Sequence, residues 1–291
     1  MVAASRQKTP DKQEVCRKVT ALLKKAYSAS VPKRELPVLE TLMYAICLEN
    51  TPMAQADSVY ARLLNAFHDL NEVRVSSITE LLPVFVDVDE AEWRALRVKS
   101  SLQFIFETNY AFDFESLKRK TADLAVKQLA KIPSLSAFVR SYVLQHCLGS
   151  HVLPIDNRMH AALVWLGLAD PGSTAEQASE SLRSAVRKAD ALQFCHLLHC
   201  VATDSKRMRA FAGALTKPPD PSEDAVGRLD LLLRRGDVGA ASRSRPAKPA
   251  AAAKPPAKGS SARPAAPKAS GKNGSSGGRG TPGRVGTKKR H

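Results

Sequence analysis

The chain has 291 residues, with 44 Lys and Arg against 28 Asp and Glu, which gives a formal net charge of +16 at neutral pH. Its five cysteines cannot all pair with one another, no run of about 18 apolar residues is present, and the first residues lack the apolar segment of a secretory signal. These features argue against an oxidised extracellular protein and against a membrane-spanning helix. We therefore expect an intracellular protein without membrane association.

Apolar residues recur at helical spacing along most of the chain, and no segment shows the period-two alternation of a strand. The pattern predicts an all-α fold, in which one helix starts at 51–52, another follows Asp156 or Asn157 and ends before Gly167, and the others span 15–29, 38–47, 77–85, 90–96, 98–108, 116–130, 137–147, 174–188, 191–200 and 223–235. In the helix over 116–130, the spacing places Leu117, Leu124 and Leu129 on the inner face.

Composition divides the chain into four parts: a polar, disordered start over 1–14, a helical domain over 15–217, a proline-rich linker with a weak helix over 218–237, and a tail over 238–291. The tail holds 7 Lys, 6 Arg and no acid, so only +3 of the net charge belongs to the rest. It has no aromatic residue and too little apolar surface to offset the entropy of ordering, which predicts disorder.

The charge of the tail predicts attraction to a polyanion such as nucleic acid, with an affinity that falls as salt rises. Because it has no aromatic side chain, the tail cannot stack on bases. A solubilising tail, a tail that lies on a membrane surface and a tail without function remain alternatives.

Two motifs stand in a definite order in the second half of the domain. The first is Ile132-Pro133-Ser134-Leu135-Ser136-Ala137-Phe138; a helix follows, and then Pro154-Ile155-Asp156-Asn157-Arg158. They resemble the helix-hairpin-helix DNA glycosylases of the endonuclease III type, where Leu-Pro-Gly-Val-Gly-Arg-Lys-Thr-Ala precedes a helix and Val-Asp-Thr-His. Trp165-Leu166-Gly167-Leu168 is similar to the Arg-Leu-Gly-Leu that ends the next helix of the family.

Upstream segments follow the same order. Residues 42–51 stand where the family has Ile-Leu-Ser-x-Gln-Thr, and residues 96–101 resemble its Gly-x-Tyr-x-x-Lys-Ala element, with Leu96 and Lys99 retained. The resemblance covers roughly 15–202. It implies a two-lobed helical bundle that binds double-stranded DNA as a monomer in the cytoplasm or nucleoid.

The resemblance implies that the hairpin residues Ser134, Leu135 and Ser136 contact DNA. The cations implied to contact DNA with them are Lys131, Arg140 and Arg158. Two family glycines, which let backbone N–H groups approach a phosphate, are replaced here by Ser134 and Ser136. Each serine adds a Cβ and disfavours positive φ, which weakens the contact, although a hydroxyl and a helix N-terminus still suit a phosphate.

Asp156 matches the catalytic aspartate of the family, which implies that it stabilises a sugar cation or activates water. The alternative is that Asp156 only caps the following helix. Phe138 occupies the place of the lysine that forms a Schiff base in the bifunctional members, and a phenyl ring has no nucleophile. The resemblance therefore implies a monofunctional base-excision-repair glycosylase with Phe138 in its base pocket. A DNA-binding protein that has lost catalysis and a structural chromatin-like protein are the alternatives.

Asn50 lies near the family glutamine that fills the gap left by an extruded base, which places it at the pocket. Its alternative role, which the sequence favours, is to cap the helix that starts at Pro52. Tyr44, Trp93 and Trp165 stand at helical core spacing, and we interpret them as packing residues rather than as walls of a base pocket.

Many relatives bind a [4Fe–4S] cluster through four cysteines near the end of the domain. No cysteine follows Cys200 in this chain, so we expect no such cluster and no other cofactor. The segment Cys195-His196-Leu197-Leu198-His199-Cys200 has the residue types of a metal site, but one straight helix cannot converge four ligands on one ion. We interpret it as a half-buried helix with core cysteines and expect no metal.

Overall fold

The computed structural model describes residues 11–27, 30–219 and 224–241, which form thirteen α-helices and two 3-10 helices and contain no strand. The predicted all-α class is thereby confirmed for this part of the chain. The predictions of disorder for the first residues and for the basic tail fall mostly on residues 1–10 and 242–291, which lie outside the described part. None of the described helices has the length and hydrophobicity needed to cross a bilayer.

The middle of the chain forms one lobe around a buried helix, α2 (Val38–Leu48), in which every residue except Glu40 is buried. A helix that is apolar all round packs on several sides, and α2 contacts α3, α6 and α8. The lobe consists of α2, α3 (Met53–Ala66), α4 (Leu70–Val75), α5 (Ile78–Leu81), a 3-10 helix (Leu82–Phe85), α6 (Ala91–Asn109), a second 3-10 helix (Glu115–Arg119), α7 (Ala122–Leu129) and α8 (Ala137–Leu148).

The second lobe combines the first helix with the last ones. Its members are α1 (Lys12–Tyr27), α9 (Asn157–Trp165), α10 (Ala175–Leu182), α11 (Lys188–Thr203), α12 (Met208–Phe211) and α13 (Ala225–Ala241). Helix α1 buries Val19 and Leu23 and packs against α11 and α13, while α11 also packs against α9. The two-lobed bundle is the predicted architecture.

The predicted segments differ from the structure where a helix has no local stop signal or where a turn divides one. Helix α6 runs without a break through residues that were predicted as two helices, because no Gly or Pro interrupts it. The predicted helix over 116–130 is instead a 3-10 helix and α7, separated by Lys120 and Thr121 in extended conformation. This turn changes the helical phase, so Leu124 is 54% exposed rather than inward.

The ends of the described body also differ from the sequence prediction. Helix α1 begins at Lys12, within the stretch predicted to be disordered. Helix α13, in the segment predicted as a linker, buries Leu229 and Leu233 and packs against α1. The weak helix of the sequence is therefore an integral element of the second lobe.

A fully buried arginine holds the end of α2. Arg94, on α6, is only 2% exposed, and its Nη1 donates to the carbonyls of Ile46 (2.6 Å) and Cys47 (3.2 Å). Its Nη2 donates to Glu49 O at 2.6 Å and Thr51 Oγ1 at 3.0 Å. The last carbonyls of a helix have no intrahelical donor and carry partial negative charge. The guanidinium of Arg94 supplies the missing N–H donors and a compensating positive charge.

We predict that Arg94→Met lowers the free energy of unfolding by at least about 3 kcal/mol, because each buried acceptor left without a donor costs roughly 1–3 kcal/mol. Urea denaturation followed by circular dichroism measures the change. Arg183→Met is the control, because Arg183 forms an exposed ion pair with Glu180 that is worth roughly 0–1 kcal/mol. Equal losses in the two variants would contradict the role assigned to Arg94.

Candidate functional site

The hairpin between α7 and α8 keeps a left-handed residue although it has no glycine. Ser134 has a φ of +61°, the conformation that glycine adopts without steric cost. Ser136 is the N-cap of α8, and its Oγ accepts a hydrogen bond from Val139 N at 3.2 Å. The hairpin therefore holds a serine in a conformation that costs a non-glycine residue about 1–2 kcal/mol.

The carbonyl groups of the hairpin are tied to neighbouring side chains. Arg97 Nε donates to Ser134 O (3.2 Å), Ser100 Oγ donates to Pro133 O (3.1 Å), and Arg140 Nη1 donates to Leu135 O (2.9 Å). Among the described residues, the backbone N–H groups of Ser134 and Ser136 have no hydrogen-bond acceptor, whereas that of Leu135 closes the turn at Pro133 and Ser134. The hairpin thus leaves two N–H groups that suit an anionic oxygen.

A carboxylate stands next to these donors. Glu49 forms a 2.6 Å ion pair with Arg97 and interacts with the Ser136 hydroxyl. Burial raises the pKa of the Glu49 carboxyl above its ordinary value, while Arg97 and Ser136 act in the opposite direction. Arg97 therefore compensates a negative charge that would otherwise repel a phosphate at the hairpin.

The three cations implied to contact DNA have different surroundings. Lys131 is exposed and has no ion-pair partner within the described ranges. Arg140 lies 3.4 Å from Glu176 and Arg158 lies 2.7 Å from Asp89, and both acids are largely exposed. Such surface pairs are weak, so a phosphate can compete for either guanidinium. Their contact with DNA stays a prediction.

Asp156 is the N-cap of α9, as one of its two interpretations predicts. Its Oδ1 accepts from Met159 N at 2.8 Å, and its Oδ2 accepts from Asn50 N at 2.9 Å. The side chain has no exposed surface. The capping role is confirmed, and the catalytic role stays a prediction.

Asn50 joins the two lobes at the same point. It has a φ of +55°, and its Oδ1 accepts from Arg158 N in the first turn of α9 at 3.2 Å. The N-cap of α3 is Pro52, with no side-chain hydrogen bond, so the favoured interpretation of Asn50 as the cap of that helix is wrong. The left-handed turn after α2 directs the amide to α9 instead. Nor does Asn50 line the cavity described below.

A histidine that the sequence did not place in the site lies beside Asp156. His199 Nε2 is 3.8 Å from Asp156 Oδ2 and 3.3 Å from Leu48 O. Burial lowers the pKa of His199, and the carboxylate of Asp156 acts in the opposite direction. The sequence does contain a signal for this histidine: His199 lies one helical turn after Cys195 and therefore shares its face. From the sequence alone, this helix is interpreted as a core element.

A small cavity lies between the lobes, with about 50 Å³ of space for water-sized molecules, and it is partly open to solvent. Its aromatic walls are Tyr44, Phe138 and Tyr142, and the polar groups along it include Gln145, His196 and His199. Tyr44 was predicted to pack only, and it is buried but also lines this space. Phe138 lines the cavity at the head of α8, two residues after the hairpin.

The two tryptophans lie outside the cavity. Trp165 packs edge-on against Phe211, with ring centroids 5.3 Å apart, in agreement with its interpretation as a packing residue. Trp93 was expected to pack as well, but it is 56% exposed. The residues that follow Trp93, Arg94 and Ala95 first, form the buried face of α6, so the tryptophan points to solvent.

The cysteine and histidine residues of α11 do not converge. His196 Nε2 and Cys200 Sγ are 3.8 Å apart on one face, whereas His199 faces Leu48 and Asp156. In the described part of the chain, no group of three or more His, Cys, Asp or Glu residues is arranged to hold a metal ion.

We predict opposite effects for two glycine substitutions in the hairpin. Ser134→Gly relieves the left-handed strain, which outweighs the added entropy of the unfolded chain, and raises the free energy of unfolding by about 0.5–1 kcal/mol. Ser136→Gly removes the oxygen that caps α8 and lowers the free energy of unfolding by a few tenths of a kcal/mol. Urea denaturation of the two variants in parallel tests both signs. A loss of stability in Ser134→Gly would show that its hydroxyl, rather than its φ, dominates.

Comparison with known proteins identifies the fold. No protein-family profile and no curated protein sequence matches the chain. Among solved structures, a trapped covalent endonuclease III–DNA intermediate matches with a TM-score of 0.50 and 13% identity, and a non-covalent endonuclease III–DNA complex with 0.51 and 14%. Each match covers 65% of this chain and 84% of the other. The chain therefore has the fold of these endonuclease III structures, at low sequence identity.

Proposed function

We propose that this protein binds double-stranded DNA as a monomer and hydrolyses the N-glycosidic bond of a base that enters the cavity beside Phe138. The observation that carries the proposal is the position of the cavity. The donor-presenting hairpin leads directly into one wall, and His199 forms another wall in front of Asp156. The two endonuclease III structures that share the fold contain DNA.

Two separate features supply the binding to DNA. The free N–H groups of the hairpin and the start of α8 offer hydrogen bonds and partial positive charge to one phosphate. The thirteen basic residues of the tail add attraction that is independent of base sequence and sensitive to salt. The hairpin sets the register, and the tail raises the affinity.

The proposed reaction is hydrolysis of the N-glycosidic bond, without the Schiff-base lyase step that cleaves the DNA strand. Phe138 has no nucleophile, and no lysine lines the cavity within the described residues. Asp156 offers a buried carboxylate that stabilises positive charge developing on the sugar as the base departs, and water completes the substitution. The reaction involves neither a metal nor an iron–sulfur cluster, for which the chain has no set of four cysteines after Cys200.

A second candidate is a DNA-binding protein that keeps the fold without the reaction. The observation that favours it is the environment of Asp156, whose two oxygens are both hydrogen-bonded to backbone and whose side chain has no exposed surface. In that case the residue caps α9 and joins the lobes, and the tail and hairpin carry the whole function.

Strand cleavage after glycosylase action distinguishes the two candidates. We expect duplexes that carry one damaged base to break after incubation with the protein and hot alkali, and Asp156→Asn to lower the rate at least about hundredfold. Asparagine is a good N-cap, and its single amide oxygen can keep the bond from Met159 N, while circular dichroism checks that the variant is folded. Asp69→Asn is the matched control, because Asp69 caps α4 in the same way and lies away from the cavity.

The outcomes against the proposal are specific. Duplex binding without cleavage of uracil, alkylated or oxidised bases would establish the second candidate. Borohydride should trap no covalent adduct, and an adduct would show that a lysine reaches the sugar and that the cleavage is not monofunctional.

Truncation after Ala241 tests the tail. We expect the truncated protein to bind duplex DNA more weakly and with a smaller salt dependence, by about 0.9 in the logarithmic slope for each phosphate contact that is lost. Fluorescence anisotropy at several salt concentrations measures both. An unchanged slope would assign the attraction to the body alone, and complete loss of binding would show that the hairpin contributes nothing.

A further inference from the structure

An ion pair lies beside the two free N–H groups of the hairpin. Arg97 Nη1 is 2.6 Å from Glu49 Oε2, and the two side chains are only 16% and 10% exposed. Each partner also contacts the hairpin itself: Arg97 Nε donates to Ser134 O at 3.2 Å, and Glu49 interacts with the Ser136 hydroxyl. Both charges are therefore one hydrogen bond away from the residues whose N–H groups remain free.

The guanidinium of Arg97 has one nitrogen left for a ligand. Nε and Nη1 are engaged by Ser134 O and Glu49, whereas Nη2 has no hydrogen-bond acceptor among the described residues and is not fully buried. A planar guanidinium that is already held at two nitrogens loses little further side-chain freedom when the third binds an oxyanion. Arg97 is thus prepared to bind a phosphate oxygen.

The ionised form of Glu49 depends on its neighbours. Glu49 is 8% exposed; burial raises the pKa of its carboxyl, and the negative charge of Asp156 raises this pKa further. Arg97, the Ser136 hydroxyl and Arg94 act in the opposite direction, and Arg97 is the strongest of them. Arg94 also binds the carbonyls at the end of α2. Arg97 is therefore the main support for a negative charge on Glu49.

A phosphate at the hairpin changes this balance. When it binds the N–H groups of Ser134 and Ser136 at the start of α8, it brings a second anion close to Arg97 and Glu49. Two anions then share one guanidinium, and like charges close together disfavour each other's ionised form. A phosphate diester keeps its charge, so Glu49 is the group that becomes neutral. Arg97 then compensates the phosphate alone.

We propose that Arg97 is a phosphate-binding cation of the hairpin, that Glu49 competes for it in the free protein, and that binding of duplex DNA is coupled to the uptake of one proton from solvent by Glu49. The inference rests on the proposed function in that a DNA phosphate binds at the hairpin. Affinity for DNA is then highest at pH values below the pKa of Glu49 in the free protein. It falls as pH rises through the higher pKa that Glu49 has beside a phosphate.

The pH dependence of DNA binding tests the proton. The full-length protein and Glu49→Gln are titrated with one undamaged duplex at constant salt from about pH 5 to about pH 9, and fluorescence anisotropy gives the dissociation constants. Glutamine keeps an acceptor for Arg97 without the charge. We expect the two proteins to bind equally in acid, and Glu49→Gln to bind about tenfold more tightly by pH 8. Histidines titrate in both proteins, so the difference between the curves belongs to Glu49.

Glu115→Gln is the matched control. Glu115 also forms an ion pair, 2.7 Å from Lys118, so its replacement changes the net charge by the same amount. It accepts a hydrogen bond from Val38 N at the start of α2, whereas Glu49 follows the last residue of that helix. The curve of Glu115→Gln should run parallel to that of the unmodified protein over the whole pH range.

The salt dependence of binding assigns the phosphate contact to Arg97. At about pH 8, we expect the logarithmic slope for Glu49→Gln to be steeper than that of the unmodified protein by up to about 0.9, the value for one additional phosphate contact. The double variant Glu49→Gln/Arg97→Met should lose this gain. Circular dichroism checks that both variants are folded.

Two outcomes overturn the inference: a pH dependence that is the same in the unmodified protein and Glu49→Gln, or a steeper salt slope that survives in the double variant. Failure of the proposed function looks different, because it concerns cleavage. Proton-coupled binding without cleavage of any damaged duplex would leave this inference standing and exclude the glycosylase. Cleavage together with binding that Glu49→Gln does not alter would leave the glycosylase standing and exclude this inference.

Discussion

The site depends on the buried guanidinium of Arg94. By binding the last carbonyls of α2 and the hydroxyl of Thr51, it closes α2 in a tight turn and puts Asn50 in the left-handed conformation. In this conformation, Asn50 Oδ1 accepts a hydrogen bond from Arg158 N in the first turn of α9, and Asn50 N donates one to Asp156 Oδ2. The position of Asp156 relative to the cavity is thus supported by a cation that does not itself line the cavity.

The features that the sequence predicts correctly are those that depend on residues close together in the chain. The cap formed by Asp156 involves a residue three positions later, and the hairpin and the order of helices are readable from short motifs. The other parts of the site are contacts between distant positions. Asn50 and Arg158 are 108 residues apart, and His199 and Leu48 are 151 apart, so no periodicity reveals them. Leu124 was misplaced because a two-residue turn shifted the helical phase.

The hairpin shows how a motif persists when its residues change. Ser134 takes the left-handed conformation because its carbonyl is held by Arg97 and the neighbouring carbonyl of Pro133 is held by Ser100. The surrounding bonds therefore over-determine a conformation that serine alone disfavours. Arg97 also neutralises Glu49, so that one side chain supports both the shape of the hairpin and its charge.

The packing of α1 against α11 and α13 has a consequence for the order in which the molecule assembles. The first helix emerges early in synthesis but buries Val19 and Leu23 only against segments made near the end, and such distant contacts form late because closing a long loop is entropically costly. The lobe around α2 is contiguous and needs none of these segments. The first lobe, hairpin included, can therefore form in a nascent chain before α11 brings His199 to the wall of the cavity.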